Sequence, residues 1–164
     1  MPTPLPALLS TVGCTLVPRV QWVPLGTSLA LVDKDGAIHH LHATFSGNTV
    51  FEADLTPDTV MARRPLVVPG LYKINCDKHP WERAWIYVSP HDSVAITDAH
   101  GRFTMKNVPI GRYKIAAWHE GWEEKNKDHD GRLEFMPMQD LRDVKVRENQ
   151  VSDVLFDTLV PSHN

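Results

Sequence analysis

Apolar and polar residues alternate in short runs along much of this chain. Across 37–45, His39, Leu41, Ala43 and Phe45 share one side of an extended backbone, and Ile38, His40, His42 and Thr44 share the other. Leu41 and Phe45 make the His39 side the inward one. The runs Leu71-Tyr-Lys-Ile-Asn75 and Ala84-Trp-Ile-Tyr-Val88 also read as strands, and Val144 and Val146 alternate with charges as a half-buried strand does. Thirteen prolines and nine glycines punctuate the chain at short intervals. The runs between them are rich in Val, Ile, Thr, Trp and Tyr, which predicts an all-β protein, sandwich or barrel. No segment before residue 90 sustains a helical period.

Taken in order, residues 1–10 read as a Pro-rich tail. Strands are expected at 12–17, 20–24 and 28–33, followed by a turn at Asp33-Lys-Asp-Gly36. A short strand at 49–53 and a loop carrying Met61 lead to the strand 71–75. Ser89-Pro90-His91-Asp92 marks the expected domain boundary, so that 11–90 form one domain and 91–164 a second. In the second, Val94–Thr97 and Arg102–Lys106 flank a turn at Asp98-Ala-His-Gly101. A strand at 112–118, a polar loop at 119–131 and strands at 143–147 and 151–157 complete it.

Composition narrows the function classes. Seventeen basic and twenty acidic residues leave a net charge of −3, with no basic stripe to favour nucleic acid. No apolar run approaches the ~18 residues of a membrane span. The N-terminus has no basic start and too short an apolar run for a signal peptide. The chain is therefore either cytosolic or a trimmed form with an added Met. The two cysteines, Cys14 and Cys76, allow one disulfide at most. No nucleophile elbow, P-loop or dinucleotide fingerprint is present, so an enzymatic role ranks behind binding or electron transfer.

The chemistry concentrates in Cys76-Asp-Lys-His79-Pro80-Trp81-Glu82. A thiol and an imidazole three residues apart in a tight turn are ligands that copper and zinc prefer. Such a site needs another donor, and Ile38-His39-His40-Leu41-His42 supplies the obvious one. Two readings of the cysteines stay open: Cys76 as a metal thiolate with Cys14 free, or a Cys14–Cys76 bridge in a metal-free interaction module. His42 faces away from His39 in a regular strand. Met61 is a weaker donor candidate, and Asp128-His129-Asp130 reads as a turn. Trp81 either braces the loop or belongs to an apolar docking patch for a redox partner. Trp85 reads as core, and Trp118-His119-Glu120-Gly121-Trp122 as a surface loop or a brace between the modules.

The ligand order and the short loop resemble those of cupredoxins, the plastocyanin and amicyanin family of type 1 copper proteins. Pro18–Asp33 resembles the strand–Gly–strand entry of that family. The second half resembles the carboxypeptidase regulatory-like, prealbumin-type β-sandwich, through Thr97-Asp-Ala-His-Gly-Arg-Phe103, Asn107-Val-Pro-Ile-Gly-Arg-Tyr113 and Ala117-Trp-His-Glu120. The resemblance implies a Greek-key cupredoxin-like sandwich followed by a smaller prealbumin-like sandwich. It also implies a periplasmic or secreted location, a redox partner protein, and a copper ion on His39, Cys76 and His79.

Two positions depart from the family pattern. Glu82 stands where the resemblance leads one to expect Met, and His40 where Asn usually follows the first His. As a ligand, the Glu82 carboxylate would be a hard anionic donor that favours Cu(II), lowers the potential and weakens the thiolate colour. The resulting set resembles that of the red copper proteins, and it suits zinc equally. A Glu82 turned to solvent would leave copper without an axial protein ligand.

Overall fold

The computed structural model describes residues 6–62, 65–122, 124–127 and 133–161. The chain divides into two compact units, Met1–Met105 and Lys106–Asn164. The expected boundary after Pro90 precedes that division. All regular elements among the described residues are strands, as the short alternating runs require. No helix there is long and apolar enough to cross a membrane.

The first unit contains β1 (Ala7–Thr11), β2 (Leu16–Val17), β3 (Val20–Pro24), β4 (Leu29–Asp33), β5 (His39–Phe45), β6 (Asn48–Leu55), β7 (Val60–Ala62), β8 (Gly70–Cys76) and β9 (Arg83–Ser89). They form a four-stranded sheet in the order β2-β1-β4-β7 and a five-stranded sheet in the order β3-β9-β8-β5-β6. Two pairings are parallel, β1 with β4 and β3 with β9, and the other ladders of these sheets are antiparallel. Leu9, Leu29 and Leu31 of one sheet and Leu41, Leu55, Ile74 and Ile86 of the other are at most 1% exposed and share one continuous core. Burying each such side chain contributes about 1.5–3 kcal/mol. The two sheets are thus the halves of a sandwich.

The alternation seen in the sequence decides which side chains enter this core. On β5, His39, Leu41 and Ala43 are buried while His40 and His42 are half-buried. On β8, Tyr72, Ile74 and Cys76 point in, and Lys73 and Asn75 do not. On β9, Ala84, Ile86 and Val88 are buried, whereas Trp85 is half-buried, with the Lys73 ammonium 5.8 Å from its ring centroid. Gly70 opens β8 at φ +137, and a Cβ there would lie 2.6 Å from the Phe45 ring. Only glycine meets both demands without strain.

The expected tail through residue 10 is corrected. Residues 7–10 belong to β1, which pairs with β4 along its whole length and buries Leu9. The expected strands 94–97 and 102–106 carry no ladder. There Asp98 closes a turn, its N–H donating to the Arg102 carbonyl at 2.9 Å and its carbonyl accepting from Gly101 N–H at 3.0 Å.

The second unit is built on one long antiparallel ladder. β10 (Gly111–His119) pairs along all of β13 (Met138–Val146), and β14 (Val160–Pro161) pairs with the first two residues of β13. β11 (Glu124–Lys127) pairs with β12 (Leu133–Phe135), so part of the expected polar loop is strand. The expected strand 151–157 is not in a sheet, although its residues alternate between exposed and half-buried. The Asp128-His129-Asp130 turn lies outside the described residues.

Candidate metal centre

β5 starts at His39 and β8 ends at Cys76, and the register places Leu41 opposite Cys76. The His39 and Cys76 side chains therefore reach the same end of the sandwich, on the inward face. The turn that follows folds back on itself. Glu82 N–H donates to the His79 carbonyl at 2.9 Å, and Cys76 N–H donates to the Glu82 carbonyl at 3.2 Å. Asp77 N–H donates to the His40 carbonyl at 2.8 Å, which ties the turn to β5. These bonds return His79 and Glu82 to the space beside Cys76.

The four predicted residues converge. The Nδ1 atoms of His39 and His79 are 3.2 Å apart, and Cys76 Sγ is 3.8 Å from the first and 3.5 Å from the second. Glu82 Oε2 is 2.9 Å from His39 Nδ1 and 3.5 Å from His79 Nδ1. All four donor atoms fall within 4.8 Å of one another. Donors around a tetrahedral ion at roughly 2.0–2.3 Å stand about 3.3–3.8 Å apart, so the cluster already approximates a coordination shell. Two imidazole nitrogens at hydrogen-bond distance cannot both carry protons, so at least one of the two offers a lone pair to the centre of the cluster.

Burial sharpens the electrostatics. His39, Cys76 and Glu82 are at most 1% exposed, and the His79 side chain is 19% exposed. Burial works to lower His39, yet hydrogen bonds to Asp35 and Glu82, together with their charges, raise it above the ordinary histidine value. Burial pushes the Cys76 thiol up, and Glu82 adds to that, against backbone hydrogen bonds at His79, His40 and Lys78. The free thiol is thus protonated near neutral pH, and a bound cation must displace its proton. Glu82 Oε1 is buried without a hydrogen-bond partner among the described residues. A buried polar atom left unpaired costs about 1–3 kcal/mol, which a cation would relieve.

Glu82 is buried against the imidazoles, so the alternative of a solvent-facing carboxylate is not what the fold builds. Both cysteines are free, and the bridged alternative is corrected. Cys76 is engaged at the histidine pair instead. His42 bonds Thr49 Oγ1 at 2.8 Å on the outer face, as the alternation predicts. Met61 lies on β7, paired with Leu31 in the other sheet. Trp81 is 60% exposed, its ring 5.4 Å from that of His79, and its Nε1–H donates to the Cys14 carbonyl at 3.0 Å. In the second unit, His119 accepts from Gly121 N–H at 2.9 Å and its ring lies 5.2 Å from that of Trp122.

The sequence reading missed the other side of His39. Its Nε2 meets Asp35 Oδ1 at 2.9 Å and lies 3.8 Å from Asp33 Oδ1. A carboxylate on the far nitrogen of a ligating imidazole fixes the ring and its tautomer. Burial works to raise Asp35, but the bond to His39 and the amides of Cys14 and Ala37 outweigh it and bring it down to about 2. The Asp33-Lys-Asp-Gly36 turn held the available signal, since Asp35 stands four residues before His39.

No protein-family model matches the chain, and no curated protein matches it. Solved structures do resemble about half of it. A copper-containing nitrite reductase from Thermus scotoductus SA-01 is 23% identical with a TM-score of 0.47, over 52% of this chain and 23% of its own. A purple cupredoxin from Nitrosopumilus maritimus is 21% identical with a TM-score of 0.45, over 51% of this chain and 99% of its own. Amicyanin from Paracoccus versutus is 17% identical with a TM-score of 0.46, over 51% of this chain and 81% of its own.

Proposed function

We propose that this chain binds one copper ion through His39 Nδ1, Cys76 Sγ, His79 Nδ1 and the Glu82 carboxylate, and that it serves electron transfer or copper handling. The observation that carries the reading is the convergence of these four donor atoms within 4.8 Å. A thiolate with two imidazoles suits both oxidation states of copper, and the metal would supply a one-electron couple. The residues supply the rest. Asp35 orients His39, the turn amides orient the Cys76 loop, and the apolar core behind Leu41 and Ile74 excludes water from one side. His79 is the donor nearest solvent, with the exposed Trp81 beside it. That edge is where a redox partner would touch. Glu82 brings a negative oxygen to the site and would bias it toward Cu(II).

The cupredoxin resemblance supports a periplasmic or secreted location, and the long β10–β13 ladder supports a separate prealbumin-type module, whose compact unit begins at Lys106 rather than at residue 91. Zinc is the second reading, because the same mixed set of thiolate, imidazoles and carboxylate fits its tetrahedral preference. Loading the metal-free protein with Cu(II) tests the proposal. A thiolate charge-transfer band should appear and Cys76→Ser should remove it. Zinc bound in place of copper in protein isolated without added metal would favour the second reading. Absence of both band and bound metal would sink the site.

A further inference from the structure

Glu82 belongs to a second cluster that the copper reading does not use. A carboxylate oxygen of Glu82, one of Asp35 and the Sγ of Cys14 lie within 4.8 Å of one another. Cys14 comes from the turn between β1 and β2 and is held at both ends of its peptide. Its N–H donates to Asp35 Oδ2 at 2.8 Å, and its carbonyl accepts from Trp81 of the ligand loop at 3.0 Å.

Two independent observations point to a ligand here. The first is the orphaned oxygen. The Glu82 side chain is fully buried; its Oε2 serves the two imidazoles, while Oε1 has no hydrogen-bond partner among the described residues. The second is a neighbouring orphan: Asp33 Oδ2 is also buried without a hydrogen-bond partner among the described residues, on a carboxylate whose Oδ1 lies 3.8 Å from His39 Nε2.

We propose that a second divalent cation, of the zinc class, binds Cys14 Sγ, Asp35 and Glu82 Oε1, with the Glu82 carboxylate bridging it to the neighbouring copper. The bridging role rests on the copper reading above. A thiolate with two carboxylates favours zinc over magnesium or calcium, whose ligands are oxygen throughout. Binding displaces the Cys14 thiol proton to solvent, and no redox change is involved. The second ion explains why a carboxylate stands where a thioether was expected: only a carboxylate has a second oxygen to give.

The test combines metal content with thiol accessibility. Chelator-treated full-length protein is loaded with Cu(II) and Zn(II), desalted, and assayed for metal per chain. In parallel, iodoacetamide labelling of each cysteine is read by peptide mass spectrometry. Two ions per chain are expected, and zinc should slow Cys14 labelling by a factor on the order of tenfold, since only the unligated thiolate reacts. Cys14→Ser should lower the content to one ion while keeping the Cys76 charge-transfer band. Cys76→Ser should lose that band and keep zinc protection of Cys14. One ion per chain with Cys14 labelled as fast as in the metal-free protein overturns the second site and leaves the copper reading standing. Zinc on Cys14 with no band from Cys76 overturns the copper reading alone. No bound metal in any form overturns both.

Discussion

The two units of this chain use the same backbone device for different ends. In the first, β5 and β8 alternate fully buried with half-buried residues, because a second sheet covers their inner face. In the second, β10 and β13 pair over nine residues each, yet Met138 is the one buried hydrophobic side chain among the residues of that unit whose burial is described. Leu141 is 59% exposed and Tyr113 38%. A complete ladder of backbone hydrogen bonds therefore does not by itself make an interior. Apolar side chains gain most when a second layer removes them from water. The candidate metal centre belongs to the unit that has such a layer, where donors can be locked by packing.

Substitution can break this contrast. The largest effect is expected from Leu41→Ala, which opens a cavity beside the site and should cost about 2–5 kcal/mol, measured by chemical denaturation. The matching Leu141→Ala, at an exposed position of β13, comes last, at no more than about 0.5 kcal/mol. Equal costs would refute the contrast. Between them, Gly70→Ala should destabilise by about 1–3 kcal/mol, since it forces a left-handed φ on a residue with Cβ and pushes it at Phe45. Copper at 100 times its dissociation constant should then stabilise the native protein by about 2.7 kcal/mol. Cys76→Ser should erase that gain, and Leu141→Ala should leave it intact. Glu82→Met should strengthen the thiolate band and raise the reduction potential, read by spectroelectrochemistry. A potential unchanged by that replacement would mean that Glu82 does not touch the metal.

What the sequence disclosed follows the same divide. Alternation around His39 and Leu41 named the inward face correctly, because burial on both sides of one core imposes a strict period. The Cys76–Glu82 spacing pointed to three of the four converging side chains because they are close in the chain. The burial of Glu82 was not legible: a turn has no period to say where its last side chain points. Asp33 and Asp35 read as turn formers, and their meeting with His39 depends on how β4 hands the chain to β5. Residues 151–157 alternate between exposed and half-buried, yet no ladder forms there. Alternation reports which way side chains point; it does not report whether a strand stands alongside.

The closure of the ligand turn has one more consequence. Its backbone bonds run from Cys76 to Glu82, from Glu82 to His79 and from Asp77 to His40, so the turn is anchored at the strand ends that carry it. Three of the four donors travel on that single segment. It is a cassette: a change of one of its side chains leaves these backbone bonds, and with them the register of the sheet strands, in place. Metal preference in such a scaffold can drift quickly over generations, because one donor can change identity without a renegotiation of the fold.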